Sequence, residues 1–217
     1  MSELLGSLIK VSNLTKSYGR NRILHALCLE VNPGEIAVIH GDNGSGKTTL
    51  QMIISSLVPA DLGSVEVCGL GVGSSRTRTL TGFVAHSPFI YGPLTILENL
   101  SFFSKLCADD TASIDSDRFR NLLHVLVLDS KLRERVDTLS HGFRKRVSIA
   151  RALVNDPMVL LLDEPESGLD ITTKEIFEEI ILEFASKGGS VLLTTHDRTL
   201  KLGQRVTYYT IENGNLI

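Results

Sequence analysis

The chain has 217 residues, 42% of them apolar and 22% charged, with a formal net charge of −3. That length suits one domain with a sizeable core, and the mild negative balance leaves no basic footprint for nucleic acid. No apolar run nears the roughly 18 residues of a membrane span and Glu3 stands where a signal peptide is basic, which argues against a self-contained membrane protein and a secreted scaffold; Cys28, Cys68 and Cys107 are scattered without a C-x-x-C pair, so no disulfide or zinc framework is expected.

Loose alternation over 8–14 and 23–31, around the turn-like Tyr18-Gly19-Arg20-Asn21, predicts an antiparallel hairpin. After the turn Asn32-Pro33-Gly34, residues 36–40 form a short continuous apolar strand of the kind buried on both faces of a parallel sheet. A Gly-rich loop follows at 41–46, then a helix over 47–57. A strand is expected at 63–67, a loop around glycines 69, 71 and 73, and a strand at 83–85. Thr95 and Glu98 fit a capping box that opens a helix to 106. Further helices are predicted over 115–127, 140–155 and 174–187, with buried strands at 159–162 and 191–195. The tail, 206–211 and 216–217, flanks an Asn213-Gly214 turn. Alternating strands and helices outside a mostly helical stretch, about 88–150, predict an α/β domain: a parallel-sheet core with a helical insert.

Gly41-Asp42-Asn43-Gly44-Ser45-Gly46-Lys47-Thr48-Thr49 satisfies G-x-x-x-x-G-K-[ST] between a strand and a helix. The chemistry requires this spacing. Glycines let the backbone wrap phosphates with successive N–H groups pointing inward, and the helix adds its positive end. Lys47 then reaches the β- and γ-phosphates and Thr48 ligates Mg²⁺. Asp163 and Glu164 end a fully apolar strand, at the edge where α/β sheets bind ligands. Asp163 suits Mg²⁺, through water. Glu164 points to the opposite side of the chain and suits orienting the attacking water.

Leu139-Ser140-His141-Gly142-Phe143 begins a helix that runs through Arg144-Lys145-Arg146, the one cluster of basic residues, toward the apolar strand, Asp163-Glu164-Pro165 and Ser167-Gly168-Leu169-Asp170. With the phosphate loop upstream, this order resembles the ABC-type ATPases over essentially the whole chain. That family's signature reads L-S-G-G-Q. His141 and Phe143 depart from it, and Ser140 and Gly142 keep it. By itself, Ser140 is a good N-cap, and a helix start beside glycine suits an anion.

The resemblance implies an α/β P-loop NTPase fold with a parallel-sheet core, an N-terminal antiparallel β subdomain and an α-helical subdomain. It makes 1–217 a single domain, with 1–87 and 156–217 as the ATP-binding core and 88–155 as the helical subdomain. It further implies that Ser140, His141, Gly142 and Phe143 face the ATP of a second copy, so that two cassettes sandwich two ATP molecules. Tyr18 matches the aromatic that stacks on adenine, His196 the switch histidine at the γ-phosphate, and Asp170 the loop that meets the partner copy. His86 stands where the family has a glutamine that completes the Mg²⁺–water shell and reports to the membrane partner. Histidine titrates near neutrality where glutamine does not. His86→Gln is therefore expected to change the pH–rate profile of turnover, and an unchanged profile would sink the idea.

The resemblance implies an ATPase, with ATP and Mg²⁺, at the cytoplasmic face of a membrane and driving a separate integral membrane subunit. Residues 88–91 and Phe102-Phe103 would supply apolar contact to that subunit. His86, residues 94–100 and Leu139-Ser140-His141-Gly142 further resemble the ATP-binding subunit of the haem exporter of cytochrome c maturation. An exporter cassette for a drug, lipid or polysaccharide shares most of these features. So does a soluble ABC ATPase, as in iron–sulfur assembly. A binding module without catalysis conflicts with Lys47, Asp163, Glu164 and His196.

Overall fold

The computed structural model describes residues 6–107, 116–166, 169–196 and 199–217. Glu3, Asp115, Ser167 and Gly168, invoked above, lie outside them.

Two sheets carry the fold. β1 (Ile9–Tyr18) and β2 (Asn21–Val31) form the expected hairpin, with register shifts near Leu14 and Lys16. β3 (Ile36–His40) leads through the phosphate loop into α1 (Lys47–Ile54). β4 (Leu62–Val67) and β5 (Leu70–Gly71) return to the hairpin, giving a four-stranded sheet ordered β2-β1-β4-β5. Next come α2 (Ser75–Thr79) and β6 (Thr81–Val84), followed by the helical insert of α3 (Ile96–Cys107), α4 (Asp117–Val125) and α5 (His141–Leu153). β7 (Val159–Asp163), α6 (Ile171–Ser186), β8 (Ser190–Thr194), β9 (Val206–Glu212) and β10 (Asn215–Leu216) complete the chain. The second sheet is ordered β10-β9-β3-β8-β7-β6, parallel from β9 to β6, with β10 antiparallel at its edge.

The continuous apolar strands are legible in this arrangement. β7 and β8 are buried at every position, and their side chains alternate between two cores. Val159, Leu161, Leu192, Ala37 and Ile39 pack with α1 and the inner face of the antiparallel sheet. Leu160, Leu162, Val191, Leu193, Ile36 and Val38 pack with α3, α4, α5 and α6. Burying each such side chain stabilises by about 1.5–3 kcal/mol.

Several boundaries differ from expectation, each for a local reason. α1 stops at Ile54, not at 57, because Ser56 takes a left-handed φ of 65°. α6 begins at Ile171, not at 174, because Asp170 caps it, its Oδ1 accepting from Thr173 N at 2.7 Å. β6 covers Thr81–Val84 instead of 83–85. α2, for which the sequence reading assigns no element, follows the glycine loop, and its N-cap Ser74 accepts from Thr77 N at 3.1 Å. The capping box stands: Thr95 N donates to Glu98 Oε2 at 2.8 Å, and Glu98 N to Thr95 Oγ1 at 3.2 Å. The Thr95 N–H, and after it the Thr95 hydroxyl donating at 2.8 Å, holds the Glu98 carboxyl below the usual range. Asn213 and Gly214, with φ of 47° and 77°, make the predicted two-residue turn of the final hairpin.

Candidate functional site

The carboxyl ends of β3, β7 and β8 lie side by side, because β8 pairs in parallel with both β3 and β7. Each strand delivers its chemistry there. β3 delivers the phosphate loop, β7 delivers Asp163 and Glu164, and β8 leads to Thr195 and His196.

Gly46 closes the loop with a φ of 109°, and a Cβ there would come within 2.7 Å of Leu24 Cδ2 and 3.0 Å of Ile23 Cγ2. The position therefore needs glycine for its backbone and for its space. The same contact shows that β2 is pressed against the loop. Tyr18, on the neighbouring strand of that hairpin, is exposed, and Lys16 Nζ lies 5.5 Å from its ring centroid. Lys47 is buried, its Nζ donating to the Gly41 carbonyl at 2.7 Å and the Asp42 carbonyl at 3.0 Å. Ser45 Oγ is buried in the loop with no hydrogen-bond partner. A buried hydroxyl left in this state is costly, and a phosphate oxygen would satisfy it. Asp42, Asn43 and Gly44 form the exposed rim, and Thr49 follows Thr48 in the first turn of α1.

Asp163 is buried and serves two hydroxyls. Thr48 Oγ1 donates to its Oδ2 at 2.9 Å, and Thr194 Oγ1 to its Oδ1 at 2.8 Å. Thr48 and Asp163 thus bring two hard oxygen donors together beside the loop, the donor chemistry Mg²⁺ takes. Glu164 leaves the strand with a left-handed φ of 46°, its N–H donating to the Thr194 carbonyl at 3.0 Å. This kink, costly for a residue with a Cβ, turns Glu164 away from Asp163. Its Oε1 lies 3.0 Å from His196 Nε2. An ionised carboxylate only accepts, so Nε2 is the donor and His196 orients Glu164. Beneath them Thr195 Oγ1 donates to Glu166, and Gln51 Nε2 donates to the Leu162 carbonyl at 2.9 Å, fastening α1 to β7.

Lys47, Thr48, Asp163, Glu164 and His196 are therefore brought together as the motifs suggest. The other candidates stand apart from them. Ser140 caps α5, accepting from Phe143 N at 3.4 Å. Among the described residues no hydrogen bond or ion pair joins residues 140–143 to the phosphate loop. His141 is exposed, and Phe143 packs on the helical core between Lys131 Nζ at 5.1 Å and Arg146 at 4.9 Å from its ring centroid. His86 is exposed just beyond β6. Asp170 caps α6, and the Thr173 N–H holds its carboxyl below the usual range.

The basic cluster 144–146 is spent inside the fold. Arg144 donates to the Val136 and Asp137 carbonyls at 3.2 and 2.7 Å. Arg146 donates to Thr173 Oγ1 at 2.6 Å, and Lys145 is buried. Sequence reasoning gave no role to Lys145. A lysine on a helix normally faces water, and only the fold shows this one turned inward.

Known proteins share this arrangement. The ABC transporter family profile matches residues 24–167. The Nod factor export ATP-binding protein I of Rhizobium etli is 33% identical over 190 residues, 87% of this chain and 60% of that protein. The chain thus spans about three-fifths of the length of that relative. The lipoprotein-releasing system ATP-binding protein LolD of Bacteroides fragilis is 31% identical over 220 residues, 97% of this chain and 100% of that protein. Among solved structures, an ATP-binding subunit of an ABC transporter superposes with a TM-score of 0.87 at 26% identity, covering 97% of this chain and 88% of that one. An ATP-binding cassette in a dimeric post-hydrolysis state, bound to ADP and Pi, superposes with a TM-score of 0.84 at 28% identity and 96% of each chain. With the phosphate loop, Asp163, Glu164 and His196 on one sheet edge, and with these likenesses, the chain belongs to the ABC transporter ATP-binding cassette family.

Proposed function

We propose that the chain is the ATP-hydrolysing subunit of an ABC transporter, working as a pair of copies at the cytoplasmic face of a membrane and driving a separate membrane subunit. The observation that carries this is the meeting of the Thr48–Asp163 and Glu164–His196 pairs beside a loop with an orphaned buried hydroxyl. The loop N–H groups, Ser45 Oγ and Lys47 bind the triphosphate. Thr48 and Asp163 would hold Mg²⁺, with His86 as a further polar group toward it, and the ion would supply charge neutralisation for the phosphates. Glu164 takes a proton from the attacking water, and His196 keeps Glu164 aimed and touches the γ-phosphate. Tyr18 stacks on adenine. Ser140, His141, Gly142 and Phe143 face the partner copy's ATP, and Asp170 meets the partner copy. In this reading residues 88–155 move as a helical subdomain.

A groove suits the membrane subunit. It encloses about 520 Å³ between β6 and the insert, lined by Leu57, Phe89, Ile90, Tyr91, Phe103 and Leu106. The alternative, that these aromatics are simply core, fits them poorly: Phe89, Tyr91 and Phe102 are 43%, 51% and 41% exposed. Tyr91 and Phe102 meet edge to face at 5.3 Å, making a preformed apolar platform. No helix of the described residues is long and apolar enough to cross a membrane, and this reading assigns the crossing to a partner. Phe89→Asp should abolish detergent co-purification with that partner while basal ATPase stays within about twofold. A partner that is still retained would remove the groove from the reading.

Haem export rests only on His86, residues 94–100 and Leu139–Gly142. The relatives serve Nod factor export and lipoprotein release by name, and the reading carries no cargo from them. Recovery of the chain with a soluble iron–sulfur assembly complex, and with no membrane protein, would favour the non-transport reading.

A further inference from the structure

Lys145 is 1% exposed, one turn into α5 from Ser140, and its ammonium donates to the Ala85 carbonyl at 3.3 Å. Ala85 immediately precedes His86. Burial pulls the Lys145 ammonium below the usual lysine range, against the carboxylates of Glu166, Asp163 and Glu164, which act to raise it. A buried cation is a poor stabiliser, because desolvation offsets what its partners return. An apolar side chain of the same length would serve the core at least as well. The position is thus occupied by a charge whose surroundings are the His86 loop on one side and the acidic site on the other.

α5 is built to carry displacement between these points. It is seated firmly on β6: Arg151 donates to the Phe83 carbonyl, and Gly82 lies so close that a Cβ would come within 2.4 Å of the Ala152 carbonyl oxygen. These contacts lie at the far end of α5, so a tilt of its capped start at Ser140 pivots on that seat and reaches Ala85 through Lys145. We propose that Lys145 is a positioning residue that ties the signature end of α5 to the His86 loop, so that ATP of one copy, held at the partner copy's Ser140, sets the loop at the partner's own ATP. This rests on the two-copy sandwich reading above. It makes the two ATP sites cooperative through a contact that neither nucleotide touches.

The test is steady-state ATPase of the full chain as a function of ATP, with Lys145→Met and Lys145→Arg. Lys145→Met should bind ATP in the monomer within about twofold of wild type, keep or raise the melting temperature, lose about tenfold or more in kcat, and bring the Hill coefficient toward one. Lys145→Arg, which keeps charge and donors, should restore most of the turnover and the cooperativity. Wild-type kcat and Hill coefficient in Lys145→Met would overturn the inference. So would a loss of ATP binding and melting temperature in step with kcat, which marks a role in folding only, or a failure of Lys145→Arg to rescue. Glu164→Gln with ATP separates the two layers. If it stays monomeric, the sandwich itself fails. If it dimerises while Lys145→Met remains cooperative, only the role of Lys145 fails.

Discussion

Glu164→Gln is expected to bind ATP, lose turnover by about 10²–10⁴-fold, the usual contribution of a general base, and accumulate as an ATP-bound dimer. The side chain is nearly isosteric and leaves the left-handed backbone at position 164 as it is. What disappears is the proton acceptor and a negative charge beside an anionic substrate. The His196 bond survives as an amide contact, so the histidine is not set loose. With hydrolysis blocked, nothing reopens the two copies. Size-exclusion chromatography with and without ATP, together with phosphate release, reads both halves of the prediction. A monomer at saturating ATP would remove either the role of Glu164 or the sandwich.

Lys47→Met should lower affinity for ATP by roughly tenfold to a hundredfold, the equivalent of a lost charged hydrogen bond of about 1.5–3 kcal/mol. The stem of Lys47 is buried, and methionine fills most of it. Its ammonium, however, ties the Gly41 and Asp42 carbonyls and so holds the start of the loop closed on itself. The variant loses both the phosphate contact and that internal tie. Titration with a fluorescent ATP analogue measures the effect, and an affinity within about twofold of wild type would show that the loop backbone alone holds the triphosphate. Both variants act at one site but should separate cleanly. Glu164→Gln leaves binding and removes chemistry, and Lys47→Met removes binding first.

The parts of the molecule fixed by spacing were readable in the chain. The phosphate loop, the apolar strand before Asp163 and the capping box at Thr95 and Glu98 are local patterns with a single physical reading each, and they stand in the fold. Parts set by tertiary contact were not readable. The early end of α1 depends on a left-handed serine, and α2 is a short helix in a glycine-rich stretch. The inward turn of Arg144-Lys145-Arg146 depends on carbonyls of Ala85, Val136 and Asp137 and on the Thr173 hydroxyl, far away in sequence or in a different element. Likewise, Asp163 and Glu164 announce a site by composition. Only the fold shows that one serves threonine hydroxyls and the other a histidine.

The alternation of side chains along β7 and β8 has a consequence for how such a chain can change. The parallel sheet acts as a partition between two compartments. Leu161 and Leu192 belong to the compartment of α1 and the antiparallel sheet, and Leu160, Leu162 and Leu193 to that of the helical insert. Residues next to each other in sequence therefore answer to different neighbours. Drift on one side of the partition can reshape the helical face offered to partners while the nucleotide side keeps its packing. One catalytic edge can thus be retained while the opposite compartment is refitted for new attachments.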